Sequence, residues 1–229
     1  MEIIQQLAAS GNHGGTRRAE QIKYLVIHYT GNDGDKAAGN AAYFQRTVVK
    51  ASAHYFVDDN HIYQSVPDLT VAWAVGGKRY ANASATGGGT MFRKITNTNS
   101  ISIELCDSVR DGNYQASEAT LRNAATLAKS LMAKYGISSD HVYRHFDVTG
   151  KHCPSYMIAA KPWAAFKARL EEKPMDNTPA AYAEKSVAWA LKTGIMTGNK
   201  DGDLMLSQPI TRQQFVTMLH RYAQLSSKA

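Results

Sequence analysis

Only two cysteines, Cys106 and Cys153, occur among the 229 residues. No disulfide framework can therefore brace the chain, and its stability has to come from a buried core. No run of 18 apolar residues occurs, which excludes a membrane-spanning helix. The opening stretch, MEIIQQLAASGNHGGTRRAE, lacks a basic segment followed by an apolar one. No secretory signal is read there, and synthesis in the cytoplasm is the expected setting. Blocks of lysine and arginine are missing too, as is any interleaving of basic with aromatic residues. The formal charge of +7 suits a polyanionic partner. Spread this thinly, it argues against nucleic acid and leaves an anionic surface or an acidic wall polymer.

What is present is ordinary globular composition, 44% apolar and 20% charged, with length for one sizeable domain and a small module. The boundary falls in the proline- and charge-rich EEKPMDNTP at 171–179. The expected division is a larger unit at 1–172, a linker at 173–179 and a helical module at 180–229. In the larger unit KYLVIHYT (23–30) has the profile of a strand buried on both faces. AHYFVDDNHIYQSV (53–66) reads as a hairpin turning at Asp59-Asn60. NSISIELC (99–106) alternates, with Ile101, Ile103 and Leu105 on one face and Ser102, Glu104 and Cys106 on the other. Helices are expected at 37–50, at 117–136 (capped by Ser117, stopped by Gly136) and in PWAAFKARLEE before the boundary. The 117–136 stripe is Leu121, Ala124, Ala128, Leu131 and Tyr135. Gly-rich 76–90 reads as a loop over one end of the sheet. Strands alternating with helices imply an α/β architecture.

A few residues do not fit a packing role. His28 closes an apolar strand, and sites in open α/β sheets are built at strand carboxyl ends. In YRHFDVTGKHCP (143–154), His145 and Cys153 lie eight residues apart in what reads as one loop, near enough to share an ion with His28. Catalytic metal sites use three protein ligands and an open fourth position. Glu104, flanked by isoleucine and leucine, is costly unless paired or facing a cleft. Beside a metal-bound water it would be a general base, and otherwise it would pair with an arginine. Cys106 is a rival thiolate or a small buried hydrophobe. Lys151 would hold its ammonium over a polarised carbonyl oxygen, or is simply solvated.

Five segments, VIHYTG (26–31), SAHYFVDDN (52–60), AWAVGG (72–77), NSISIELC (99–106) and HFDVTGKHCP (145–154), resemble in order the zinc-dependent N-acetylmuramoyl-L-alanine amidases of the type 2 family. Peptidoglycan recognition proteins and many phage endolysins share that fold. The resemblance implies a mixed central sheet flanked by helices and a shallow groove holding one Zn²⁺ per chain. It implies His28, His145 and Cys153 as ligands, with Glu104 as acid/base and Lys151 as oxyanion stabiliser. The reaction implied is cleavage of the amide between N-acetylmuramic acid and L-alanine in bacterial peptidoglycan. An endolysin acting on the wall after release from the cytoplasm is the expected role. The alternative is a non-catalytic peptidoglycan-binding protein; such relatives typically lack the thiolate, and Cys153 favours the enzyme. Two positions depart from the family pattern. His54 stands where a tyrosine near the metal is common, and is expected to point into the groove. Ala74 follows Trp73 where a histidine is common, leaving Trp73 as the groove contact there. His152 is assigned no role.

In the tail, the pattern Trp-Ala…Gly-Ile…Gly…Asp-Gly…Ile-Thr-Arg resembles a single S-layer homology motif. It implies binding to an anionic secondary wall polymer and carries over to Trp189, Gly198, Thr211 and Arg212. Thr211 and Gln214 read as a capping box, and Ala183, Val187, Ala190 and Leu191 as an inward stripe. NKDGD (199–203) lacks the later ligands of a calcium loop. One helix pair buries little by itself, so packing onto the larger unit or onto copies from other chains, as a homo-oligomer, is expected.

Overall fold

The β-branched runs YLVIHY and SISIEL become the central strands of a six-stranded sheet in a computed structural model, which describes residues 2–171, 177–199 and 202–226. The strands are β1 (Ile3–Gln5), β2 (His13–Thr16), β3 (Tyr24–Tyr29), β4 (Tyr55–Val57), β5 (Ile62–Gln64), β6 (Thr70–Ala72), β7 (Ser100–Leu105) and β8 (Val142–Arg144). The helices are α1 (Ala37–Arg46), α2 (Ala83–Thr86), α3 (Glu118–Tyr135), α4 (His145–Thr149), α5 (Ala160–Glu171), α6 (Glu184–Lys192) and α7 (Arg212–Ser226). Sheet order is β1-β5-β4-β7-β3-β8, parallel throughout except for the β4–β5 hairpin, while β2 and β6 pair separately and antiparallel. This is the mixed, helix-flanked sheet that the sequence led us to expect.

Alternation sorts the central strands into two faces. Leu25, Ile27, Ile101, Ile103 and Leu105 pack against α3 and α5 through Ala124, Ala128, Leu131, Phe166 and Leu170. Val26, His28, Ser102 and Glu104 therefore face the other way. There, Ala37 and Ala41 of α1 cover Phe56 and Cys106, and Val75, Ile95 and Val148 cover Val26. In α3, Ser117 accepts from the Thr120 amide and Gly136 closes the helix at φ 64°. Leu121 and Tyr135 of its expected stripe are only half-buried, while Thr120, Ala125 and Leu127 join the core.

The first helix stops at Arg46 instead of running to residue 50, and buried Asn12 is the reason. Its Nδ2 donates to the carbonyls of Phe44 and Thr47, and its Oδ1 accepts from the amides of Val49 and Lys50. These bonds satisfy helix-end carbonyls and capture the amides of Val49 and Lys50, so continuing the helix would gain nothing. The Gly-rich 76–90 stretch is irregular apart from the single turn of α2.

Residues 1–171 and 172–229 form two compact units. The first four residues of the expected linker, 173–176, and residues 200–201 of NKDGD lie outside the described residues. In the second unit, Thr211 and Gln214 make the reciprocal cap of α7. Ala183, Val187 and Ala190 are half-buried, but Leu191 is 41% exposed, so the expected inward stripe is one residue shorter. Ile195 is buried instead, and its carbonyl accepts from Arg221.

A buried carboxylate, Asp68, joins the hairpin to α3. It accepts from the hydroxyls of Tyr55 (2.5 Å) and Tyr135 (2.7 Å), from Gln64 and from Lys134. Replacing it strands several buried donors at about 1–3 kcal/mol each. We expect Asp68→Ala to lower the urea-unfolding free energy of the 1–171 transition by about 3 kcal/mol. Lys134→Met, which removes an exposed partner, should cost under about 1 kcal/mol.

Candidate metal centre and active site

Parallel pairing of β3 with β7 sets His28 directly opposite Glu104, each one residue from its strand's carboxyl end. Next to β3 on the other side runs β8, whose chain turns at Arg144 into α4 and delivers His145 at the helix start. The 143–154 stretch is thus not one loop: α4 intervenes between His145 and Cys153. Asp147 induces it by accepting from the Arg144 amide and pairing with the Arg144 guanidinium. After α4, Gly150 turns at φ 82°, where an added Cβ would collide with that of Ala83. The reversal brings Cys153 back, and its carbonyl accepts from the Phe146 amide at 2.9 Å.

Three donor atoms, one each from His28, His145 and Cys153, lie within 4.8 Å of one another. The His28 and His145 ring centroids are 4.6 Å apart, and His28 Nδ1 is 3.9 Å from both Cys153 Sγ and Glu104 Oε1. Ligands around a tetrahedral ion stand about 3.5 Å apart, so small side-chain adjustments would close the shell. Partner accounting supports the fit. Among the described residues, six buried side-chain polar atoms have no hydrogen-bond partner, and His28 Nε2, His145 Nδ1 and Glu104 Oε2 are half of them. Leaving such atoms orphaned is costly, and a cation bound by two imidazole nitrogens and a thiolate would relieve part of that cost.

The electrostatics follow from burial. His28 is held well below the usual imidazole range by burial and then by His145, and His145 is pushed down to about 4 by burial and then by Lys151. Both rings are therefore neutral at pH 7, the state a metal requires. Burial, opposed by Lys151, pushes Glu104 up to about 8, and burial and Glu104 push the Cys153 thiol up. Glu104 pairs with no arginine among the described residues; its sole contact of this kind is His28.

Cys106 is buried under α1, 3.6 Å from Asn40, and takes no part in the cluster. His152 is exposed, edge-on to Phe146. The expectation for His54 needs correcting. This residue is fully buried, its Nδ1 accepts from the Ser102 amide, and its Nε2 lies 2.8 Å from Arg17 Nη2 and 3.1 Å from the Thr70 carbonyl. Burial and the Arg17 guanidinium push its pKa down to about 3. It braces β7 against the β2–β6 side of the unit and faces no groove. Trp73 is half-buried with its indole near Gly14.

Two clefts open beside the cluster, and neither is lined by Trp73. One, roughly 450 Å³, has Glu104 in its wall with Asn32, Asn40, Tyr43 and Phe44. The other, roughly 370 Å³, has His145, Thr149 and Lys151 in its wall with Lys78 and Tyr80. These flanking residues were missed in the sequence. The available signal was Asn40, a polar residue within the otherwise small and apolar AAGNAAYF.

The sequence profile described as N-acetylmuramoyl-L-alanine amidase matches residues 18–156, which include the whole cluster. The chain belongs to this amidase family. A second profile, the S-layer homology domain, matches residues 175–216. Among curated amidases, CwlL of Bacillus licheniformis is 33% identical over 65% of this chain and 39% of its own length. XlyA of Bacillus subtilis (strain 168) is 32% identical over 74% of this chain and 51% of its own. The chain thus spans about half the length or less of these relatives. Among solved structures, the catalytic domain of XlyA superposes with a TM-score of 0.58 at 32% identity, covering 74% of this chain and 99% of that one. PlyL gives 0.59 at 29% identity over 74% and 97%. The amidase-family fold lies in the first unit.

In the S-layer homology segment, Gly198 packs where a Cβ would sit 2.8 Å from the Gly202 carbonyl carbon, and Thr211 caps α7. Trp189 is half-exposed, edge-on to Tyr222, and Arg212 is exposed.

Elemental analysis should find bound metal reduced in Cys153→Ser and unchanged in Cys106→Ser; the reverse result would move the thiolate ligand to Cys106. Because burial keeps the Cys153 thiol protonated, metal uptake at pH 7 is expected to release at least about one proton per ion. Calorimetry in buffers of different ionisation enthalpy reads that number.

Proposed function

We propose that the chain hydrolyses the amide joining the lactyl group of N-acetylmuramic acid to L-alanine in peptidoglycan, with one Zn²⁺ held by His28, His145 and Cys153. The observation that carries this reading is the convergence of two neutral imidazoles, each with one partnerless nitrogen, and a buried thiol beside a carboxyl group with no arginine partner among the described residues. Zinc bound there would supply Lewis-acid polarisation of the scissile carbonyl and a lowered pKa for the attacking water.

The protein's own groups divide the rest. Glu104, directly across the pairing from His28, takes the proton of the attacking water on its carboxylate and returns it to the nitrogen of the departing L-alanine. Its raised pKa, about 8 without metal, suits both directions of transfer near neutrality. Lys151 borders the same cleft as His145 and places its ammonium to stabilise negative charge developing on the carbonyl oxygen. For the second unit, the S-layer homology match supports binding to an anionic secondary wall polymer, which would hold the hydrolase at its insoluble substrate.

Glu104→Ala is expected to retain the metal and to lose at least about 100-fold in the release of L-alanine amino termini from purified walls. Mass spectrometry of the digest should show intact glycan strands. An active Glu104→Ala protein would remove Glu104 from the proton transfer.

A further inference from the structure

The two clefts differ in charge, and the substrate proposed above differs in charge between its two halves. In the cleft walled by Glu104, no lysine or arginine is present. The Asn32 and Asn40 amides are pinned there by hydrogen bonds to Asp35. Phe44 stacks on Phe56 at 5.4 Å, and Tyr43, 47% exposed, stands edge-on to Phe44. Fixed amides beside an aromatic face suit an uncharged ligand bearing hydroxyl and acetamide groups. The cleft walled by His145 carries Lys78 and Lys151 and no acidic side chain. Lys78 is exposed and follows Gly76 and Gly77 in the wall, with Gly76 at φ 66°. The loop there is held by the Tyr80 amide donating to the Thr149 carbonyl at 2.8 Å. Lys78 is thereby carried next to the cluster without belonging to it.

We propose that the Lys78 cleft is the subsite for the carboxylate-bearing stem peptide, with Lys78 reading a stem carboxylate beyond L-alanine, and that the Asn40–Tyr43 cleft takes the uncharged muramoyl sugar. This rests on the hydrolase reading and assigns direction within it. The scissile amide then lies at the His28–His145–Cys153 cluster, with Glu104 in the wall of one cleft and His145 and Lys151 in the wall of the other. Lys151 acts on the carbonyl oxygen and Lys78 on a charge farther along the peptide, so the two cations have separate tasks.

The test uses the full zinc-loaded chain and two soluble muramoyl-peptides, one with a free stem carboxylate after L-alanine and one with that group as a carboxamide. Wild type is expected to favour the carboxylate. Lys78→Met should raise KM for the carboxylate substrate about fivefold, the size of one solvent-accessible charge pair, leaving kcat and the carboxamide KM unchanged. Lys78→Arg should restore the preference, and Tyr43→Ala should weaken both substrates alike. A Lys78→Met protein that keeps the preference, or loses equally on both substrates, overturns the assignment. So does a Tyr43→Ala protein whose loss falls on the carboxylate substrate alone, which would put the peptide in the other cleft. If wild type cleaves neither substrate, the hydrolase reading fails and this assignment with it.

Discussion

Parallel pairing of β3 with β7, His28 opposite Glu104, is the constraint on which the site depends. Side chains alternate along a strand, so a slip of one residue would carry either group to the α3–α5 face and replace it with a large apolar neighbour. The register is fixed from that opposite face. Leu25, Ile27, Ile101, Ile103 and Leu105 all meet the helices there, and a slipped strand would expose every one of its apolar residues at once. Glu104 and His28 are thus held by hydrophobic packing on the side of the sheet away from them. β8 extends the same pairing on the other side of β3, and His145 follows it directly as the first residue of α4.

Buried histidines fall into two kinds in this fold, and partner saturation tells them apart. His54 has both ring nitrogens engaged, and it works as a strut between strands. His28 and His145 each leave one nitrogen without a partner. An unsatisfied buried nitrogen costs stability that a core residue has no reason to spend. The apolar face and the Asp68 network offset that cost, and the cluster keeps open donors where the chemistry needs them.

Sequence periodicity revealed the elements long enough to have a period. The central strands at 23–30 and 99–106, the hairpin and the 117–136 helix were legible because each sets several apolar residues in a row. Three-residue strands such as β1 and β8 carry too few residues for a pattern, and HGGT of β2 has almost no side chains to show one. The end of α1 was hidden because Asn12, which stops it, lies 25 residues upstream of its start. His28, Glu104, His145 and Cys153 stood out as residue types misplaced for packing. His54 looked equally odd, and its partner Arg17 is 37 residues away, so its buried role could not be read locally. The clefts were illegible for the same reason: Asn40 meets Glu104, and Lys78 meets His145 and Lys151, only through the fold.

Arg144 ties the segment that carries His145 and Cys153 to the chain downstream of Cys153. Its guanidinium donates to the carbonyls of Met157 and Ile158, pairs with Asp147, and lies over the rings of Phe146 and Trp163. Trp163 belongs to α5, beyond the last residue matched to the amidase family. The helix after residue 156 is therefore a buttress of the turn between His145 and Cys153. Recombination that trades one second unit for another has an upstream limit at the end of α5; a junction placed earlier would unseat His145 and Cys153 together.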